Sequence, residues 1–355
     1  MAIQSVELLN YKSIASCYLG FGNLNIIIGA NGTGKSNLLS FFELVRAFIF
    51  NQDGYLRTHV TRKGGPDAFL RYGRKYTQSL SASLTVANTS YRFSFELTND
   101  DAFFFAEEKI MESESNEWRL QSGRQESMLA NRPDFIPDAF VNEISQWRVY
   151  HINDTGGTSP IIKKQLIADN RYLRKDGSNI SAFLYMLKEQ YPKNYRHIVK
   201  TVQRIAPFFS DFSFEPVGDL VELFWHEKYS DTPLKAHLLS DGILRFICLA
   251  TLLLQPKDLM PQTIFIDEPE LGLHPFALNI LAGLIRSVSA DRQFIISTQS
   301  PESLNAFTPE DIVVTDRNNG QTTFKRLEPS ELKLWLEKYT LSELWQMNYL
   351  NGGSI

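Results

Sequence analysis

Apolar and polar positions alternate through "IQSVELLNYKSI" near the N-terminus, and the run "LNIII" (Leu24 to Ile28) is apolar throughout. Together these predict two strands across residues 3–28. The next segment, "SNLLSFFELVRAFIF" (Ser36 to Phe50), repeats its apolar residues at helical spacing and predicts a helix. Strict alternation returns in "SLSASLTVANTSYRFSFEL", within residues 75–97, as expected of an antiparallel hairpin or meander in a β lobe. Residues 107–133 are polar and weakly patterned, which predicts loop with a short strand. "WRVYHI" (Trp147 to Ile152) reads as a strand again. From Ile161 to Phe209 the pattern turns helical, most clearly in "SNISAFLYMLKEQ" and "NYRHIVKTVQRIAPFF", and predicts a helical insertion. Strands resume in "FSFEPVGDLVELFWHE", and from Leu239 to Val314 helix and strand alternate as an α/β core requires. The expected organisation is a nucleotide-binding part with a β lobe at 1–160, a helical insertion lobe with strands at 161–235, and a C-terminal part at 236–355. The first and last parts would form one discontinuous core.

With 355 residues and 43% hydrophobic content, the chain has enough apolar mass for one large or two ordinary domains. Its net charge of −4 exerts no global pull toward nucleic acid, so any such contact must come from a local patch. Cys17 and Cys248 are the only cysteines, too few for a disulfide scaffold, and a reducing cytoplasm is the expected location. "MAIQSVELLN" lacks the charged and apolar blocks of a signal peptide. The apolar run "FICLATLLLQP" (Phe246 to Pro256) is too short to span a bilayer, so no membrane contact is expected.

Chemistry enters with "IIIGANGTGKSN" (Ile26 to Asn37), in which Gly29, Gly34, Lys35 and Ser36 hold the fixed places of a P-loop between a strand and a helix. Glycines free the backbone to point successive N–H groups inward, and the helix N-terminus adds its positive dipole end. Asn31, Gly32, Thr33 and Asn37 complete the candidate nucleotide contacts. Lys35 would neutralise charge on the β- and γ-phosphates, and the Ser36 hydroxyl would ligate magnesium. "TIFIDEPELGLHP" (Thr263 to Pro275) is an apolar strand ending in Asp267 and Glu268. At the carboxyl end of a sheet strand, Asp267 would hold magnesium through water, and Glu268 would orient or deprotonate the attacking water. A strand leaving a core into a solvated turn gives the same letters, but the upstream P-loop favours function. In "HLLSDGILRFICLATLLL" (His237 to Leu254), Ser240 or Asp241 caps a long apolar helix, which is either an ordinary cap or an anion site.

The order of parts (P-loop, insertion, Leu-Ser-Asp-Gly opening a helix, strand ending in Asp-Glu) resembles the ATP-binding-cassette ATPases. Leu239, Ser240, Asp241 and Gly242 would form the signature, with Asp241 where Gly or Gln is more usual. "VELLNYKSI", "GANGTGKSNLL", "DEPELGLHP" and "STQSP" are similar to the RecF-like and OLD-like ATPases, relatives of Rad50 and of the heads of structural-maintenance-of-chromosomes (SMC) proteins. The likeness extends through "GGPDAFLRYGRK", "RYLRKDGSNISAFLYML" and "YTLSELWQMNYLNGG", in a stand-alone AAA_21-type form.

That resemblance implies an α/β P-loop core with a β lobe and a helical lobe, ATP and Mg2+ as ligands, and a homodimer formed head-to-tail around ATP. Ser240 and Gly242 would then reach the γ-phosphate held by a second subunit. Gln299 occupies the place of a switch histidine. Because an amide cannot carry a proton charge, slow turnover is expected. Lys12 would lie near the nucleotide, although an exposed turn lysine fits equally, and Asn153 and Asp154 fall where a Q-loop is expected, without its glutamine. His274 fits the loop at the dimer contact, and the six histidines show no metal-ligand spacing. Implied processes are DNA repair or antiviral (phage) defence with a separate nuclease or toxin effector. A nucleotide-gated scaffold with little hydrolysis is the alternative. Lys163, Lys164, Arg171, Arg174 and Lys175 form a basic cluster that suits phosphates of DNA or RNA but equally suits a solvated face. The absence of an Asn-Lys-x-Asp segment disfavours GTP. About forty residues follow the last core strand, too few for a Toprim domain, and the insertion lacks the heptads of a coiled coil.

Overall fold

The computed structural model describes residues 3–50, 56–113, 116–120, 122–131, 134–157 and 159–350. Its centre is a six-stranded sheet in the order Gln321–Arg326, Ile312–Asn318, Leu24–Ile28, Gln293–Thr298, Thr263–Asp267, Val149–Tyr150. The last five run parallel, and Gln321–Arg326 closes the edge as an antiparallel hairpin partner of Ile312–Asn318. Inner strands of this kind are apolar on both faces, and their period of two divides the interior into two clusters. Ile26, Ile264, Ile266, Ile296 and Val314 face one, with helix Asp241–Leu254 and the helical lobe. Ile27, Phe265, Ile295 and Val313 face the other, with the P-loop helix Lys35–Ile49 and the β lobe.

The β lobe is a second six-stranded antiparallel sheet, ordered Ile14–Gly20, Ile3–Tyr11, Ser79–Val86, Thr89–Leu97, Phe103–Ser113, Asn116–Arg119. Aromatic rings fasten it to the P-loop helix. Phe41 stacks on Phe93 at 6.3 Å, Phe48 meets Phe93 at 5.1 Å, and Phe42 lies 4.8 Å from Phe265 of the central sheet. Such pairs contribute about 0.5–1.5 kcal/mol each beyond their buried area, so the helix carrying the P-loop is held from both sides.

Several boundaries depart from the sequence reading. Residues 3–28 form three strands, because the chain reverses at Lys12, whose φ of 50° makes a tight turn. Phe103–Ser113 is a long strand rather than loop. Its alternation was masked by the charges of "EEK", of which Glu108 is buried and satisfied by Tyr91, Ser127 and the Met128 N–H. "WRVYHI" contributes only Val149–Tyr150 as strand. Within the expected helical stretch, helices begin only at Ile180–Gln190 and continue as Pro192–Ile205. Residues before them form loop, a short 3-10 turn at Pro160–Ile162 and the two-residue strand Gln165–Leu166. The basic residues Lys163, Lys164, Arg171, Arg174 and Lys175 therefore stand on loops. The two helices pack beside Asp241–Leu254 and a smaller sheet of Phe209–Val217, Leu220–Glu227 and Leu234–Lys235. Among the described residues no helix is long and apolar enough to cross a membrane.

Candidate nucleotide-binding site

The P-loop's shape follows from its glycines. A Cβ on Gly29 would lie 2.1 Å from Thr315 Oγ1 and 2.6 Å from the Thr315 carbonyl, so only glycine fits. Gly34 combines φ of 109° with a would-be Cβ 2.3 Å from Thr322 Oγ1. Lys35 is buried, and its ammonium donates to the carbonyls of Gly29 at 2.6 Å and Ala30 at 2.9 Å. Burial lowers its pKa, while Glu268, Glu270 and Asp267 pull the other way. Asn31 lines a cavity of about 470 Å³ over the loop, together with Gly29, Ala30, Gln299, Pro301 and the C-terminal residues Trp345, Gln346 and Asn348.

Threonines far along the chain secure this loop. Thr315 Oγ1 donates to the Ile28 carbonyl at 3.0 Å and meets Thr33 Oγ1 at 3.0 Å. Thr322 Oγ1 donates to the Thr33 carbonyl at 2.6 Å and lies 2.7 Å from Ser13 Oγ, which also accepts from Asn37 Nδ2 at 2.8 Å. Arg317 adds a bond to the Gly32 carbonyl at 3.2 Å. None of these three residues was singled out from the sequence, since nothing local marks a partner nearly three hundred positions away.

Parallel register brings the acids to the loop. Asp267 ends its strand with Oδ1 3.5 Å from Ser36 Oγ, and it also accepts from Ser297 Oγ. Tyr150 pairs with Ile266, so the next residue, His151, comes beside Asp267 with Nδ1 3.3 Å from Oδ2. His151 was not singled out from the sequence, and it, rather than Asn153 or Asp154, is the residue of this segment that contacts Asp267. Asn153 Nδ2 meets His151 Nε2 at 2.6 Å, while the Asp154 carbonyl accepts from Ser159 Oγ. Burial alone would raise the Asp267 carboxyl, but hydrogen bonds from His151 and Ser297, with help from Ser36, leave it below its ordinary value. The bond to Asp267 in turn raises His151.

Glu268 adopts φ of 50°, a left-handed conformation uncommon for this residue type, with its N–H on the Ser297 carbonyl at 3.0 Å. Gln299 Nε2 donates to Glu268 Oε1, and the Gln299 N–H donates to Glu270 Oε1 at 2.6 Å. Burial raises the Glu270 pKa, and its Oε2 is buried without a partner.

Lys12 sits on the flank of the P-loop helix. Its ammonium donates to Ser40 Oγ at 2.8 Å, one turn beyond Ser36, and burial lowers its pKa. The residues expected to form a signature are placed elsewhere. Ser240 caps its helix by accepting from the Ile243 N–H at 3.4 Å, Ser240 and Asp241 are exposed, and none of Ser240, Asp241 and Gly242 hydrogen-bonds to the P-loop of the same chain among the described residues. Gly242 abuts the loop after the Asp-Glu pair, since a Cβ there would lie 2.3 Å from the Gly272 carbonyl oxygen. Arg245 ties the same helix to the His151 segment through the carbonyls of Ile152 and Asn153. His274 Nδ1 caps helix Pro275–Val288 by accepting from the Phe276 N–H at 3.2 Å.

No group of three or more His, Cys, Asp or Glu among the described residues forms a metal cage. The hydroxyl of Ser36 and the carboxylate of Asp267, 3.5 Å apart, are hard oxygen donors of the kind that would suit magnesium together with phosphate oxygens and waters.

The sequence matches the AAA_21 family, described as "AAA domain, putative AbiEii toxin, Type IV TA system", over residues 24–305. No curated protein matches it significantly. Among solved structures, the fold is similar to an SMC head bound to the C-terminal winged-helix domain of ScpA, with TM-score 0.62 and 16% identity over 93% of this chain and 99% of that one. It is also similar to the Pyrococcus furiosus SMC head with an extended coiled coil, bound to the C-terminal domain of ScpA, with TM-score 0.60 and 16% identity over 95% and 99% of the two chains. The chain belongs to the AAA_21 family of AAA-domain proteins and has the fold of an SMC head domain.

Proposed function

We propose that this protein binds and hydrolyses ATP, dimerises head-to-tail around it, and acts in DNA repair or antiviral defence through a separate nuclease or toxin effector. The observation that carries this reading is the convergence of Ser36, Asp267, Glu268 and Gln299 on one face of the P-loop, while the Ser240 cap is exposed and apart from it. A site so divided is completed by a second copy. Magnesium, when bound, would neutralise charge on the β- and γ-phosphate oxygens. Lys35 would leave the Gly29 and Ala30 carbonyls for phosphate, and Asp267 would exchange its His151 and Ser297 contacts for the metal. Glu268 would take a proton from water once its Oε1 is released by Gln299, and Ser240 with the signature-helix N-terminus would bind the γ-phosphate of the partner. The test is light-scattering mass of wild type and Glu268→Gln with magnesium-ATP, alongside phosphate release. Doubled mass in the variant, with turnover about 10²–10⁴-fold lower than wild type, is the expected result. An unchanged mass in both proteins refutes the sandwich.

A second reading, a nucleotide-gated scaffold with little hydrolysis, draws on the Gln299 to Glu268 bond, which occupies one carboxylate oxygen of the acid. In that case Glu268→Gln retains partner function, whereas hydrolysis-driven action requires its loss.

A further inference from the structure

Beside the P-loop helix lies a cleft that the nucleotide reading does not use. A cavity of about 540 Å³ opens between Lys35–Ile49, the short helix Leu56–Arg62, the Trp147 to Val149 segment and the loop carrying Tyr172 to Asp176. Six cationic side chains line it, Arg46, Arg62, Lys63, Arg148, Arg174 and Lys175, against the carboxylates of Glu43 and Asp176. Among the described lining residues cations exceed carboxylates by four, although Arg174 is also paired with Asp169 at 2.8 Å outside the lining, and the chain as a whole carries a net charge of −4. Glu43 is already shared by Lys175 at 3.1 Å and Lys63 at 3.8 Å, and Arg62 makes no ion pair among the described residues. A second cavity, of about 500 Å³, shares Arg46, Arg148 and Tyr172 with the first and adds Arg171 and Asp258. The two cavities together offer room for more than one nucleotide. At the junction the Arg148 guanidinium lies 4.0 Å from the centroid of the Tyr172 ring, which is 40% exposed.

We propose that this cleft binds a single-stranded nucleic acid. A basic groove following a phosphodiester backbone, with an aromatic platform for an unpaired base, is the arrangement that recognises single strands without reading sequence. A duplex suits it less, because the cations line recessed walls rather than a broad face. The cleft also touches the ATP site. The Lys175 carbonyl accepts the His151 N–H at 2.9 Å, and His151 holds Asp267. Phosphate drawing Lys175 away from Glu43 therefore shifts the backbone that positions His151. This coupling rests on the proposed ATPase reading, whereas the binding does not.

The test is fluorescence anisotropy of labelled twelve-residue oligothymidylate and oligouridylate with the full chain. Wild type, Lys35→Ala, Arg62→Glu/Arg148→Glu and Tyr172→Ala are compared over a salt series, with unfolding midpoints as a folding control. Lys35→Ala is expected to bind as wild type does, which separates this cleft from the nucleotide site even if ATP binding fails. The charge reversal is expected to weaken binding at least about tenfold and to lower the slope of log affinity against log salt by roughly 0.7 per cation removed. Tyr172→Ala is expected to weaken binding with an unchanged slope, and Lys63→Glu serves as a second reversal should the double variant unfold. The proposal is overturned by full affinity in the reversed variants, by tighter binding of a duplex of the same length, or by complete displacement with a mononucleotide at equal concentration. Given binding, an oligonucleotide-dependent change in ATP turnover in wild type that the reversal abolishes supports the coupling. Unchanged turnover refutes the coupling alone.

Discussion

Two helical glycines differ in one respect, and that difference makes an opposed pair of substitutions. Gly242 is the second residue of helix Asp241–Leu254, and Gly283 lies within helix Pro275–Val288. Alanine is favoured over glycine inside a helix by about 1 kcal/mol, so propensity alone stabilises both substitutions. At Gly283 an added Cβ meets nothing within 4 Å, and the full gain is expected. At Gly242 the Cβ would stand 2.3 Å from the Gly272 carbonyl oxygen, about 1 Å inside ordinary contact. That atom belongs to backbone and cannot swing aside, and overpacking of this kind costs about 1–3 kcal/mol. The net expectation is a loss of roughly 1 kcal/mol for Gly242→Ala against a gain of about 1 kcal/mol for Gly283→Ala. Urea unfolding midpoints at a shared m-value read the difference directly. ATP turnover should fall only in Gly242→Ala, because the displaced Gly272 loop follows Glu268. If both variants shift the midpoint upward, the tight packing of the signature helix on that loop is not a constraint, and its role in placing Glu268 falls with it.

Thr322→Val keeps the side-chain shape but leaves the Thr33 carbonyl and Ser13 Oγ each short of a partner, at an expected cost of about 2–3 kcal/mol and weaker ATP binding. Thr323→Val, on the exposed side of the same strand, is the control, and equal effects at both positions would refute the buttress. His151→Ala tests the ion pair through pH. The His151 pKa is raised above its ordinary 6.5 by Asp267, so the pair's stabilisation is complete below that value and lost as pH rises through the raised one. The melting-temperature gap between wild type and variant, without nucleotide, should narrow as pH rises above the ordinary histidine value of about 6.5, and a gap that stays constant contradicts the pairing.

What the sequence disclosed was chemistry whose partners are close along the chain. The P-loop is legible because Gly29, Gly34, Lys35 and Ser36 lie within one short loop and the start of its helix, and Asp267 because it ends an uninterrupted apolar strand. His151 was hidden by geometry. It lies one residue past a strand only two residues long, and only the pairing of Tyr150 with Ile266 sets it beside an acid. Thr315 and Thr322 look like ordinary strand threonines until the hairpin folds against Gly29 and Gly34. The charged stretch at Glu107 concealed a strand because a buried carboxylate, satisfied by Tyr91 and Ser127, breaks the expected alternation without breaking the structure.

The place of the P-loop strand in the central sheet bears on how the protein is made. Leu24–Ile28 lies between Gln293–Thr298 and Ile312–Asn318, so a chain emerging from the ribosome displays its phosphate loop long before either neighbour exists. Until those strands arrive, Ile26, Ile27 and Ile28 have no sheet to complete, and the loop lacks Thr315 and Thr322. Messages cut short before residue 312 would therefore yield chains that carry every residue of the motif yet form no nucleotide pocket. The loop gains its threonine supports only after the hairpin of Ile312–Asn318 and Gln321–Arg326 has been made.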